Sequence, residues 1–481
     1  MATTVNRPFR EMGFLLDGRW HEEGEAFDVL SPFNRITVGT TYRAGPRHLE
    51  AAIEAAVRSF EVTRRLPAHE RRRILTAVAE GIRRRSDEFS TTMALEAGKP
   101  IKAAHAEVDR AILTFTVAAE EAVRIGGEWL PLDRVSAGTG RAAIVRRFPI
   151  GPVAAITPFN FPLNLVAHKI APAIAAGCTV VQKPSPHTPF CSLMLAELVE
   201  QAGWPAGALN VLSLSNDDAR KMTTDERFKL LTFTGSAAVG WELKREAGKK
   251  RVTLELGGNA ACIVHSDADL DHAAERIAAG GFSYAGQSCI SAQRIFVQRS
   301  VERQFVDKLL TRVASLKVGD PMDPATDVGP LINADAVSRI TKWVEEAVAG
   351  GAEVLSGGKG KDMFYEPTVL THTSPQMKVN CEEIFGPVVV VEAYEDFAEA
   401  VRRANDTRFG LQAGVFTRDA ALLFSAFETL EVGGVISNDV SSFRIDHMPY
   451  GGVKDSGFGR EGLQSAIEDM TEPRILVLHT H

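Results

Sequence analysis

The sequence predicts an α/β chain with two domains, and three observations predict it. Short apolar runs alternate with helical segments from residue 153 onward, and a second alternation of the same kind begins near Cys262. The chain is also long, 481 residues with 45% hydrophobic and 24% charged, which is enough for two or three large cores. Alternation of strand and helix is the mark of a parallel sheet covered by helices.

The elements follow in order. From 46 to 95 the apolar positions recur at helical spacing, and EAGKP at 96 to 100 supplies the Gly and Pro that end that region. A second helix continues to about Arg124. Between 125 and 146, Gly and Pro punctuate short apolar stretches, which predicts a β-ribbon. Strands are expected at VAAIT from 153, TVVQK from 179, LNVLSL from 209 and LLTF from 230. The second series has ACIVH around Cys262, a helix from Asp269, RIFVQ from 294, a helix from Val301 and VVVVEAY from 388. The tail EPRILVLH reads as a lone strand without a sequence partner, and such strands often complete a sheet in another subunit. A homodimer or homotetramer is therefore expected.

Composition excludes several classes. A net charge of -7 disfavours a nucleic-acid or anionic-membrane surface. The first residues lack the apolar core of a secretion signal and no run of roughly 18 apolar residues occurs, so a soluble cytoplasmic protein is expected. The arginine runs at 71 to 73 and 83 to 85 read as solvated helix faces. Cysteines stand at 178, 191, 262, 289 and 381 with no CxxC and no His at zinc spacing, so neither a disulfide framework nor a metal site is expected.

Several short motifs could carry chemistry, each with a plainer alternative. Gly457, Gly459 and Gly462 form a GxGxxG, but a dinucleotide fingerprint needs a strand before it and a βαβ unit after it, so it is rejected. In LTFTGSAAVG a strand turns at Gly235 and Ser236 into a helix, whose free N–H groups favour an anion; many such turns hold no ligand. Lys183 ends a strand where open parallel sheets bind ligands, and by itself reads as a solvated lysine. Glu255 ends an apolar strand before Gly257 and Gly258: burial would raise its pKa toward that of a general base, or it simply reaches water. The residues after Cys289 read as a helix running into 294 to 297, placing the thiol at a helix start where the dipole favours thiolate; free cysteine is also commonly a small buried hydrophobe. Asn160, on a Pro-bounded loop after a strand, could be a fixed amide donor or a turn residue.

Taken together, TPFNFPLN (157 to 164), QKPS (182 to 185), FTGS (233 to 236), LELGGN (254 to 259), GQSC (286 to 289), EEIFGP (382 to 387) and MPYGGVKDSGFGREG (448 to 462) resemble the aldehyde dehydrogenase superfamily across nearly the whole chain. The resemblance implies a Rossmann-like dinucleotide-binding domain (1 to 124 and 147 to 255), an α/β catalytic domain (256 to 441) and a small β oligomerisation ribbon (125 to 146 and 460 to 481). It makes Cys289 the nucleophile, Asn160 the oxyanion amide and Glu255 the water-activating base, with Lys169 and Glu472 relaying protons. It implies NAD or NADP, with Lys183 beside the adenosine ribose, Gly235 and Ser236 at the pyrophosphate, and Glu383 and Phe385 at the nicotinamide ribose and ring. Thr157, Phe159, Ser185, Pro186, Val239, Leu256 and Gly257 complete the implied cofactor contacts.

The implied reaction is oxidation of a small aldehyde to the free acid, since members that pass the acyl group to coenzyme A generally lack the glutamate matched by Glu255. Two positions depart from the family pattern. Pro186 stands where many NAD-preferring relatives have a glutamate, which removes one obstacle to a 2'-phosphate, and Phe159 replaces a common Trp. The sequence is most like the branch of lactaldehyde, phosphonoacetaldehyde and non-phosphorylating glyceraldehyde-3-phosphate dehydrogenases. Arg110, Arg294 and Arg444 are candidates to meet an anionic substrate, or are structural. An NADP-dependent glyceraldehyde-3-phosphate enzyme, a Cys-Glu hydrolase and a silent fold kept for binding are the competing readings.

Overall fold

The computed structural model describes residues 10–479. An eight-stranded sheet runs in the order Gly457–Phe458, Arg251–Glu255, Leu230–Thr234, Val153–Ile156, Val180–Lys183, Leu209–Val211, Phe14–Leu16, Arg19–His21. The five strands from Arg251–Glu255 to Leu209–Val211 are parallel and the outer ones antiparallel. These parallel strands are apolar runs buried on both faces, the pattern of a sheet with helices on each side. The chain starts at Val153–Ile156, adds two strands on one side, then returns to add Leu230–Thr234 on the other. The strand order therefore reverses between Val153–Ile156 and Leu230–Thr234, and crevices for ligands form at the carboxyl ends of such a pair.

A seven-stranded sheet holds the second series, in the order Glu353–Ser356, Thr368–Thr371, Val388–Tyr394, Ala292–Gln298, Ala260–Val264, Gln412–Phe416, Gly434–Ser437. Each predicted strand of both series is present, and the helices expected from Asp269 and Val301 form as Leu270–Phe282 and Glu302–Ala314. The helical region from 46 divides into Pro46–Thr63, Ala68–Arg84 and Ser86–Ala97, and the second helix is Ile101–Ala122. Asn164–Ala176 is buried on every side, packed on Ile101–Ala122 and Leu463–Asp469; its circumference is apolar except for Asn164, His168 and Lys169, whose polar ends meet Asp446 and Glu461.

The tail strand is not alone. Thr471–His479 pairs antiparallel along its whole length with Arg141–Pro149, which also pairs with Gly127–Pro131. The two segments are far apart in sequence, so no local signal joins them. The ribbon leaves Trp129, Ile475, Leu476 and Val477 exposed. The arginine runs also differ from a purely solvated face. Arg71 donates to the carbonyl of Ala175 at 2.6 Å, and Arg85 pairs with Glu88 and Glu197, so two of these side chains tie helices together. Among the described residues no helix is long and apolar enough to cross a membrane, and no cluster of His, Cys, Asp or Glu could hold a metal ion.

Candidate active site

The loops leaving the first sheet meet the loops entering the second. Asn160 follows Val153–Ile156, Glu255 closes Arg251–Glu255, Cys289 precedes Ala292–Gln298 and Glu383 precedes Val388–Tyr394. Cys289 is half-buried against Ile290, Leu411 and Tyr450, with its sulfur 3.3 Å from the Tyr450 hydroxyl. Its backbone lies so close to Gly258 that a Cβ there would come within 2.2 Å of the Cys289 carbonyl oxygen.

One expectation fails here. No helix begins at Cys289, because the apolar residues that follow are drawn into a strand between Ala260–Val264 and Val388–Tyr394. The thiol therefore gains no helix dipole. Burial pushes it up to about 12, opposed by the Tyr450 hydrogen bond and reinforced by the carboxyls of Glu383 and Glu255.

The turn before Cys289 is strained and bolted down. Tyr284 and Ala285 take left-handed φ values of 49° and 53°, each costing about 1 kcal/mol or more. Gly286 follows at φ 66°, where a Cβ would strike the Gly386 carbonyl oxygen at 2.1 Å. Tyr284 donates its hydroxyl to the Ala97 carbonyl at 2.9 Å, and the Gln287 amide bonds the carbonyls of Tyr284 and Pro330 and the N–H of Ile332.

Buried Lys99 lies 3.8 Å over the Phe161 ring and 4.5 Å over the Tyr284 ring and pairs with Glu107. The other oxygen of Glu107 accepts the N–H groups of Leu163 and Asn164, each at 3.0 Å. The cluster thus fixes the Asn160 loop and the Cys289 turn together. Asn160 itself is buried and donates to the Gln287 carbonyl at 3.0 Å, while its side-chain oxygen has no partner.

Glu255 is buried with neither carboxyl oxygen hydrogen-bonded. Room for it comes from Gly451, where a Cβ would lie 2.9 Å from one of those oxygens. Burial raises its pKa well above the ordinary range, and the Glu461 carboxylate adds to this, against Arg444, Lys169 and Arg460. Lys169, fully buried, pairs with Glu461. Glu472, expected near the proton path, instead lies on the ribbon and pairs with exposed Arg251. The missed residue, Glu461, was visible as an acid inside the glycine-rich block at 448 to 462.

The three candidate arginines separate clearly. Arg294 is consumed by the backbone carbonyls of Asn259, Arg403 and Ala404, so its role is structural. Arg110 forms two bonds to Asp446, at 3.1 and 2.8 Å. Asp446 also accepts from Asn164, at 2.9 Å, and is 2.8 Å from His168; despite its burial, His168 and Arg110 hold it well below the usual carboxylate range. Arg444 is buried, lies 3.6 Å over the Tyr450 ring and reaches Glu461 at 3.4 Å and His168 at 3.3 Å, yet its Nε has no acceptor.

A cleft of about 430 Å³ opens at the reversal point of the first sheet, lined by Thr157, Phe159, Lys183, Ser185, Pro186, Gly235, Ser236 and Val239. Arg220 also stands on its wall, held by Glu242 and Glu246; sequence reading missed it. Burial, with Arg43 adding, pulls the Lys183 ammonium down to about 8. Helix Ala237–Glu246 enters the cleft wall with no side-chain cap on its first N–H groups, and the buried Thr234 hydroxyl has no partner. Uncapped N–H groups, a lone hydroxyl and a lysine are donors that suit phosphates and ribose hydroxyls, so these residues fit a dinucleotide.

Four expected contacts lie outside that cleft. Leu256 is buried among Phe233, Leu254 and Phe409. Gly257 accommodates the Glu383 carboxyl, which would lie 2.2 Å from a Cβ there. Glu383 accepts from the Gly258 N–H at 3.0 Å, and burial pushes it up to about 7. Phe385, at φ 48°, meets Phe159 edge-on at 5.9 Å, which joins this group to the cleft.

A cleft whose donors suit a dinucleotide, beside a thiol, an amide and a buried carboxyl, has the parts a nicotinamide-dependent oxidoreductase requires. The chain belongs to the aldehyde dehydrogenase family, whose family model matches residues 20–476, and it is an enzyme of that family using NAD or NADP. It is 43% identical to the 3-sulfolactaldehyde dehydrogenase of Priestia aryabhattai over 98% of each chain. Aldehyde dehydrogenase 21 from Physcomitrella patens, solved with the reaction product succinate, is 44% identical with a TM-score of 0.97 over 98% of this chain and 99% of that one. The glyceraldehyde-3-phosphate dehydrogenase GapN from Methanocaldococcus jannaschii, complexed with NADP, is 38% identical with a TM-score of 0.91 over 95% and 99%. These relatives bear out the family, the α/β fold and the branch expected from the sequence, and they set aside the silent fold.

Two stability predictions follow from the buried acids. Glu107→Ala strands Lys99 in the core and should cost about 3–5 kcal/mol, read from urea unfolding. Glu255 has a folded pKa above its unfolded one, so stability is full below about pH 4.5 and declines as pH rises toward the folded value. Glu255→Gln removes that decline: its Tm should exceed that of the wild type at pH 8, with the gap closing toward pH 5.

Proposed function

We propose that the enzyme oxidises a short aldehyde carrying an anionic group to the free carboxylic acid, with Cys289 as nucleophile, Asn160 as oxyanion donor and Glu255 as general base. One observation carries this reading. Groups from three distant segments converge, and each keeps unused bonding capacity: a reachable thiol, an amide with one bonded N–H, and a carboxyl with no partner.

The Cys289 sulfur attacks the carbonyl carbon, forming the C–S bond, while the second N–H of Asn160 and a backbone N–H hold the developing oxyanion. A nicotinamide bound in the cleft would supply the hydride acceptor, and loss of hydride from the carbon would leave it oxidised as a thioester on Cys289. Glu255 then takes a proton from a water whose oxygen attacks that carbon; the C–S bond breaks, the acid departs and the thiolate is restored. Lys169 with Glu461 gives the proton on Glu255 a route away. Lys183, Ser185, Gly235, Ser236 and Val239 hold the dinucleotide, with Thr157, Phe159, Leu256 and Gly257 around it and Glu383 and Phe385 at the nicotinamide end. Pro186 places no acid against a 2'-phosphate and Arg220 offers it a cation, which favours use of NADP as well as NAD.

Arg444 supports the anionic substrate, since its buried guanidinium, one aromatic ring away from the thiol, keeps an unfilled donor. Relatives named for sulfolactaldehyde and for the product succinate are consistent with that charge. The first sheet with its helices (1 to 124 and 147 to 255) serves as the cofactor domain and the second (256 to 441) as the catalytic domain. The ribbon, whose strands are Gly127–Pro131, Arg141–Pro149 and Thr471–His479 and not all of 125 to 146 and 460 to 481, is with its exposed apolar strand the surface on which a homodimer or homotetramer forms in the cytoplasm.

The deciding experiment follows absorbance at 340 nm with neutral, carboxylated, sulfonated and phosphorylated short aldehydes, each with NAD and NADP. Turnover should vanish in Cys289→Ala and fall about 100-fold or more in Asn160→Ala, and free acid should form without coenzyme A. Near-normal turnover in either variant would end the assignment, and exclusive use of the phosphorylated aldehyde would favour the glyceraldehyde-3-phosphate reading. Arg444→Met should raise KM for the anionic aldehydes about tenfold or more beyond any change it makes for a neutral one; equal effects on both would remove the anion anchor.

A further inference from the structure

Among the described residues, the Tyr450 hydroxyl is the one hydrogen-bonding group at the Cys289 sulfur, at 3.3 Å. Tyr450 is 3% exposed, so its phenol has no water to prefer over the sulfur. The Arg444 guanidinium sits 3.6 Å over the ring face, where a cation withdraws density from the π-system and makes the phenolic O–H a stronger donor. Burial keeps the phenol itself protonated, so it gives a hydrogen bond and does not take a proton.

The setting makes such a donor necessary. The turn supplies no helix dipole, and the acids facing the sulfur, Glu383 before Val388–Tyr394 and Glu255 at the end of Arg251–Glu255, both oppose a thiolate. The Arg444 cation acts the other way through the Tyr450 ring. Behind it, Lys169, Glu461 and His168 neutralise one another in part and face Glu255 and Arg444 instead of the sulfur. Without the phenol, the anion that must form at Cys289 would have no hydrogen-bond donor of its own in the resting site.

We propose that Tyr450 is a further catalytic residue: its hydroxyl donates to the Cys289 sulfur and stabilises the thiolate, and Arg444 stacked on its ring strengthens that donation. The proposal rests on Cys289 being the nucleophile. The thiol proton leaves to water or base and not to Tyr450.

The test is alkylation of Cys289 by iodoacetamide in the full chain, in which the S–C bond forms, iodide leaves and the thiol proton passes to solvent. Mass analysis of the Cys289 peptide separates it from the other cysteines. On the limb where the rate rises with pH, Tyr450→Phe should react about tenfold more slowly at fixed pH, the effect of losing one charge-assisted hydrogen bond. Replacing Tyr450 by 3-fluorotyrosine, a more acidic phenol of the same shape, should speed the reaction, a response that a merely structural ring would not give. An unchanged or faster rate in Tyr450→Phe, together with no response to fluorination, overturns the proposal. Because alkylation needs neither cofactor nor aldehyde, slowed alkylation in a protein that turns over no aldehyde would sink the reading of the reaction while still supporting the hydrogen bond.

Discussion

The buried pair of Lys99 and Glu107 holds the site together. A lone ammonium or carboxylate in such a core would be strongly destabilising, so each is tolerated only because the other is present and further bonds saturate both. Lys99 spends its remaining surface on the rings of Phe161 and Tyr284, and Glu107 spends its second oxygen on the N–H groups of Leu163 and Asn164. One ring belongs to the Asn160 loop and the other to the Cys289 turn, so a single ion pair sets the distance between amide and thiol. The left-handed strain at Tyr284 and Ala285 is affordable because this cluster, with Gln287, over-determines the turn.

Sheet topology then decides what can reach that point. The reversal of strand order beside Val153–Ile156 opens the crevice, and the same carboxyl ends that line it carry Asn160 and Glu255. The second sheet presents the opposite ends of its strands, since Cys289 and Glu383 precede theirs. A ligand extended along the crevice would reach the junction between sheets, where Cys289 sits on a backbone fixed from both sides.

Much of this was legible in the sequence because the strands of parallel sheets are continuous apolar runs, which stand out from amphipathic helices. The short strands between 10 and 43 were not, since three-residue segments such as Arg10–Met12 with mixed exposure carry no period. The helix expected after Cys289 failed because Ser288, Ser291 and Ala292 suit a helix start as well as a turn, and only pairing with two neighbouring strands decides between them. EAGKP read as a helix stop, which it is, but nothing local tells that its lysine lies beneath Phe161 and Tyr284. Glu461 and Glu472 are both acids near the end of the chain, and choosing between them requires knowing which one lies against Lys169.

The site's charge balance explains how two buried glutamates in one neighbourhood can take different tasks. Glu461 collects Lys169, His168 and Arg444 and is held below its ordinary pKa despite burial, whereas Glu255, with no hydrogen-bond donor, is pushed up by burial and by Glu461 itself. Like charges so placed cannot both ionise at equal ease, and the donors gathered around Glu461 leave Glu255 the weaker acid of the two. Around these acids, Lys169 and Arg444 face Glu461, and Arg110 and Arg444 face Asp446. Arg444 thus stands against two carboxylates with its guanidinium over the face of the Tyr450 ring, so the cation that helps hold Glu461 down also bears on the phenol beside the Cys289 sulfur.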